Sequence, residues 1–211
     1  MTDQLLRFNF RQKYLIWDTE TRNLAISSEV PWQLGYILAE GKFVKKEIER
    51  KIFWPDYEVK PEIAAMNHFD RFQYEKEARD PVEVLDEFES YLYDPEYLIV
   101  GMNSLGFDCF IHNNWRKALG RKTDYSWMSR HIDILATFRA IMAGAKNPPK
   151  DDLLAWQYTF LHNRDKKVKA GLSAQMKHFN IAYDAASHHN ASVDVRYTFE
   201  VFWKHLYELD I

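Results

Sequence analysis

One stretch constrains this chain more than any other: Tyr14-Leu15-Ile16-Trp17-Asp18-Thr19-Glu20. A run of aromatic and branched apolar residues has the composition of a buried strand, and it stops on two carboxylates one residue apart. Side chains alternate along a strand, so Asp18 and Glu20 point to the same side. Two neighbouring acids at the end of a buried strand repel each other and are costly to remove from water. A fold keeps such a pair when a cation sits between them. An isolated Asp-x-Glu is more often a solvated strand end, so the rest of the chain decides what the pair means.

The flanking pattern predicts a mixed-sheet α/β domain. Val30–Ala39 and Phe43–Phe53 read as two further strands, joined through Glu40-Gly41-Lys42 as an antiparallel meander. Residues 54–79, with Pro55 and Pro61, read as loop plus a short helix. Asp80-Pro81-Val82-Glu83 is a helix start, with an Asp cap, Pro at the first position and Glu three after the cap. Tyr97–Met102 is a short continuous apolar run, the signature of a central strand, and a short strand is expected near His131–Ile134. Helices are expected after Asp108 to Leu119, up to Gly144, at Leu153–Leu161 and Ser173–Phe179, and over Ala191–Tyr207. With no repeat or linker in 211 residues, a single domain over 1–211 is expected.

Three places carry carboxylates where packing does not call for them: Asp18 with Glu20, Asp108 behind Phe107, and Asp194 in the first turn of the last helix. Each lies where a strand ends or a helix begins, the edge at which α/β sheets place their sites. Together they make a hard, oxygen-rich, anionic donor set suited to Mg²⁺ or Mn²⁺. Four acids suit two such ions roughly 4 Å apart, the arrangement for in-line phosphoryl displacement. His189 is the candidate general base. Five helical residues correspond to a turn of about 140°, so His189 and Asp194 face one site only if His189 lies in the loop ahead of the helix.

Asp18-Thr19-Glu20, then Asn103 with Phe107-Asp108, then His189-x-Ala191-x-x-Asp194, resembles the three motifs of the DEDDh branch of the DnaQ-like 3′–5′ exonucleases. That family includes the proofreading epsilon subunit of DNA polymerase III, RNase T and oligoribonuclease. The resemblance spans residues 13 to about 205. It implies a ribonuclease H-like fold, with a mixed sheet of about five strands flanked by helices, and removal of nucleotides from 3′ ends with two Mg²⁺ or Mn²⁺ ions. It implies that Asp18 bridges both ions and that Glu20 and Asp194 hold the ion carrying the attacking water. Asp108 would serve the second ion, and His189 would be the base. Asn190, not Tyr, stands four before Asp194, which argues against the tyrosine-using branch. Met102 stands where the proofreading subunits have His ahead of the Asn, which sets the chain apart from them. Thr19, Thr21, Asn103 and Phe107 are the expected contacts to the terminal nucleotide.

Composition narrows the alternatives. The single cysteine, Cys109, rules out an internal disulfide and leaves a zinc site from His178, His188 and His189 without thiolate ligands. No apolar run approaches the ~20 residues needed to cross a bilayer, so a soluble, cytoplasmic protein is expected. Net charge is −3, yet Lys146, Lys150, Arg164, Lys166, Lys167, Lys169 and Lys177 form a local basic stripe compatible with nucleic acid. Of the tryptophans, Trp17, Trp32 and Trp54 are expected in the core, with Trp115, Trp127 and Trp156 the alternatives for base stacking. With these alternatives set aside, the resemblance implies a metal-dependent 3′–5′ exonuclease, with single-stranded DNA ends the favoured substrate. The alternatives are an RNA-trimming or oligoribonuclease-type enzyme, or an inactive nucleic-acid-binding subunit. Several members of that family dimerise, which leaves a homodimer open as a partner state.

Overall fold

Strand β1, Lys13–Glu20, lies at the middle of a five-stranded sheet in the order β3-β2-β1-β4-β5. The computed structural model describes residues 4–149, 151–162, 167–184 and 189–211. β2 (Gln33–Glu40) runs antiparallel to β1, and β3 (Phe43–Lys51) antiparallel to β2, which makes the meander expected from the short turn. β4 (Tyr97–Gly101) and β5 (His131–Asp133) run parallel to β1. The C-terminal ends of β1, β4 and β5 therefore meet at one edge of the sheet.

Between β3 and β4 come α1 (Pro61–Met66), α2 (Arg71–Glu77) and α3 (Pro81–Leu92). Two short helices thus occupy 54–79, where one was expected. α3 begins as its sequence dictates: the Asp80 carboxylate accepts from the backbone N–H groups of Val82 and Glu83, and Pro81 opens the helix. α4 (Asp108–Ala118) follows β4, α5 (Ile134–Met142) follows β5, and α6 (Leu153–His162), α7 (Leu172–His178) and α8 (Ala191–Glu208) complete the chain. Among the described residues no helix is long and apolar enough to cross a membrane.

Alternation along β1 divides the core. Tyr14 and Ile16 join Val195, Phe199, Phe202 and Leu206 of α8 on one face. Leu15 and Trp17 join Val84, Leu85 and Phe88 of α3 and Cys109 and Trp115 of α4 on the other. Each of these fully buried side chains contributes about 2 kcal/mol through removal of apolar surface from water. Trp115 and Trp127 are 1% exposed, so both belong to the core rather than to a stacking surface. β3, at the sheet edge, is largely exposed and carries Lys45, Lys46 and Lys51, charges that discourage further strand pairing.

Candidate active site

The same alternation sets the direction of the acids. Asp18 and Glu20 share the face of Tyr14 and Ile16, beneath the N-terminus of α8, whereas Thr19 turns toward α4. In the β1–β2 register Asp18 stands opposite Gly35 and Glu20 opposite Gln33. A Cβ at Gly35 would lie 2.4 Å from the carbonyl carbon of Ala191, so only glycine lets the start of α8 descend onto the strand. Gln33 is 2% exposed; its side-chain oxygen accepts from the Ala191 N–H at 3.2 Å and its amide donates to Glu49 at 2.8 Å. These two residues of β2 fix the helix that carries Asp194.

Asp194 lies in the first turn of α8, with Asn190 as the cap. His189 sits just ahead of the helix, with a left-handed backbone (φ +63°), and its N–H donates to Asp194 Oδ2 at 3.1 Å. Ligand atoms of Glu20, His189 and Asp194 all lie within 4.8 Å of one another, so these three residues could share one cation. The grouping differs from the histidine cluster weighed for zinc. His178 packs against Phe138 and Phe179, and His188 lies outside the described residues.

The fourth acid arrives from the other side. Asp108 opens α4 and is 2% exposed. Its Oδ1 accepts both the Thr19 N–H, at 3.1 Å, and the Thr19 hydroxyl. The loop before it is held by Asp133, fully buried at the end of β5, whose carboxylate accepts from the N–H groups of Asn103 (3.1 Å), Leu105 (3.0 Å) and Leu135 (2.8 Å). Asn103 adopts φ +59°, and Phe107 is half-buried at the cap of α4. Asp133 did not figure among the sequence candidates; its signal is an Asp directly before an apolar helix, a cap pattern.

The hydroxyls of Thr19 and Thr21, expected at the terminal nucleotide, are engaged within the protein. Both residues are 7% exposed, the Thr19 hydroxyl is engaged by Asp108, and the Thr21 hydroxyl donates to the Asn23 carbonyl at 2.6 Å. Of the basic stripe, Lys167, Lys169 and Lys177 line a surface depression with Phe138, Met142 and His178, and none of the four acids borders it. Lys150, Arg164 and Lys166 lie outside the described residues.

Burial dominates the electrostatics, and neighbouring acids add to it. Burial, reinforced by the charges of Asp108, Glu20 and Asp194, holds Asp18 protonated well above the usual carboxylate range. Burial together with Asp194 and Asp108 pushes Glu20 up to about 8. Asp108 is raised by burial to about 7, in spite of the opposing hydrogen bonds from Thr19. A carboxylate cluster that resists ionising at neutral pH is the donor set a divalent cation relieves, because its charge reverses each of these shifts. The oxygen-only character of Asp18, Glu20, Asp108 and Asp194 fits Mg²⁺ or Mn²⁺; His189 adds a nitrogen that softer ions would also accept.

The fold is similar to that of E. coli exonuclease I. Its complex with a dT13 oligonucleotide superposes with a TM-score of 0.70 at 18% identity, over 92% of this chain and 40% of that one. The zinc-bound form with single-stranded DNA gives 0.71 at 18% identity over the same shares, and an apo exonuclease I structure gives 0.69 at 19%, over 90% and 41%. This chain thus spans about 40% of the length of exonuclease I. No family model and no curated protein sequence matches it. The five-stranded mixed sheet flanked by helices is the ribonuclease H-like exonuclease fold.

Proposed function

We propose that this chain is a divalent-cation-dependent 3′–5′ exonuclease that shortens single-stranded DNA and releases nucleoside 5′-monophosphates. The observation that carries the reading is the convergence on Asp18 of Glu20, Asp108 and Asp194, whose charges add to its burial, with His189 beside Glu20 and Asp194. Likeness in fold to exonuclease I, solved with DNA oligonucleotides, favours a DNA strand over RNA. Asp18, Glu20, Asp108 and Asp194 would hold two Mg²⁺ or Mn²⁺ ions, which when bound acidify the attacking water and neutralise charge on the scissile phosphate. His189, exposed and next to Glu20 and Asp194, takes the proton from that water. Phe107, half-buried beside Asp108, would abut the terminal base.

Matched 5′-labelled DNA and RNA, single- and double-stranded, incubated with Mg²⁺, Mn²⁺ or EDTA, test this directly. The expected result is a ladder shortening from the 3′ end of single-stranded DNA in either metal and none in EDTA. Faster trimming of RNA would overturn the DNA assignment; no trimming of any substrate would overturn the enzyme reading.

A further inference from the structure

The residue between the two acids of the opening motif is not a spacer. Thr19 faces away from Asp18 and Glu20, is 7% exposed, and gives both its N–H and its hydroxyl to one oxygen, Oδ1, of Asp108. Two donors on one carboxylate oxygen fix the rotation of that carboxylate. Strand β1 therefore holds three of the four acids: Asp18 and Glu20 by carrying them, and Asp108 by gripping it from the opposite face.

We propose that Thr19 is a positioning residue that sets the affinity of the site for the cation served by Asp108. The inference rests on the exonuclease reading above, and it assigns Thr19 to Asp108 rather than to the nucleotide. Valine keeps the β-branched shape and the N–H in this buried strand position and removes only the hydroxyl. Serine keeps the hydroxyl. Alanine serves as a second deletion should valine disturb folding.

The test is calorimetric titration of Mn²⁺ into the metal-free protein, for wild type, Thr19→Val, Thr19→Ala, Thr19→Ser and Asp18→Asn. It is accompanied by melting in EDTA and by the Mg²⁺ dependence of trimming. Loss of one hydrogen bond to a charged acceptor is expected to weaken one of two Mn²⁺ binding events about tenfold in Thr19→Val and Thr19→Ala. Thr19→Ser should stay within about twofold of wild type. The Mg²⁺ midpoint for activity should rise in parallel, with turnover at saturating metal near normal. A lower melting temperature with unchanged Mn²⁺ affinity would make Thr19 merely structural and overturn the inference, while the exonuclease reading would stand. Wild-type protein that binds no Mn²⁺, or binding that Asp18→Asn leaves unchanged, would overturn both.

Discussion

The two sides of the site are built differently. On the β1–α4 side Asp108 is almost completely buried, both Thr19 donors hold it, and Asp133 clamps the loop before it through the backbone N–H groups of Asn103 and Leu105. On the α8 side His189 is exposed, its backbone is left-handed, and its N–H rests on Asp194. One side fixes carboxylates so that they can hold charge without rearranging. The other places the exposed His189 beside Glu20 and Asp194, where the proposed reading has it take the proton from the attacking water. On the proposed reading the acids of both sides hold cations and His189 handles the proton, and substitutions should separate those two jobs.

The largest effects belong to the acids. Asp194→Asn and Asp108→Asn should each lower trimming roughly 10³-fold or more, because each removes charge that the bound cations need. Steady-state assays at saturating Mg²⁺ check this, and a variant retaining a tenth of wild-type activity would remove that acid from the site. His189→Ala should lower turnover roughly 10²-fold, the scale of general-base catalysis, with Mn²⁺ affinity within about threefold of wild type. Equal losses in both would make His189 a ligand and erase the division.

Gly35→Ala touches no acid, yet its Cβ meets the Ala191 backbone at 2.4 Å. It should cost about 1–3 kcal/mol of stability by overpacking. It should also reduce activity by lifting Asp194 off the strand, which melting and assay together would show. An active, fully stable variant would mean that α8 can shift without penalty.

The smallest effect is on the pH dependence of the metal-free protein. Glu20, at about 8, and Asp108, at about 7, retain protons in the fold that they release on unfolding. The unfolded chain then binds fewer protons, and stability falls as pH rises. Buried neutral His131 and His205, both held down at about 3 by burial, act in the opposite sense, gaining protons on unfolding below about pH 6.5. From about pH 6.5 to about pH 8.5 the melting temperature in EDTA should therefore fall, and Mn²⁺ should flatten the slope. A melting temperature that rises over this window would contradict the crowded-carboxylate account.

What the sequence could and could not disclose follows from range. Strand β1, the Asp80-Pro81 helix start and the apolar run of β4 are local patterns, and the structure has them within a few residues of the expected bounds. Placing His189 ahead of α8 was legible from helical geometry alone. The parts that assemble the site were not legible. Gly35 opposite Asp18 and Gln33 opposite Glu20 depend on cross-strand register, which the sequence of either strand does not state. The grip of Thr19 on Asp108 joins residues 89 apart in the chain. Asp133 resembles an ordinary helix cap until β4 and β5 pair and bring the Asn103–Leu105 loop to it.

Asp18 is the residue on which both sides converge, since Asp108 from one side and Asp194 from the other raise it along with Glu20. Its conversion to Asn, with nearly the same shape and no charge, is the sharpest single measurement. With 5′-labelled single-stranded DNA and Mg²⁺, wild-type protein should yield successively shorter labelled products, and Asp18→Asn should yield none while remaining folded. A ladder from Asp18→Asn comparable to wild type, or release of the label as a mononucleotide, would contradict the account.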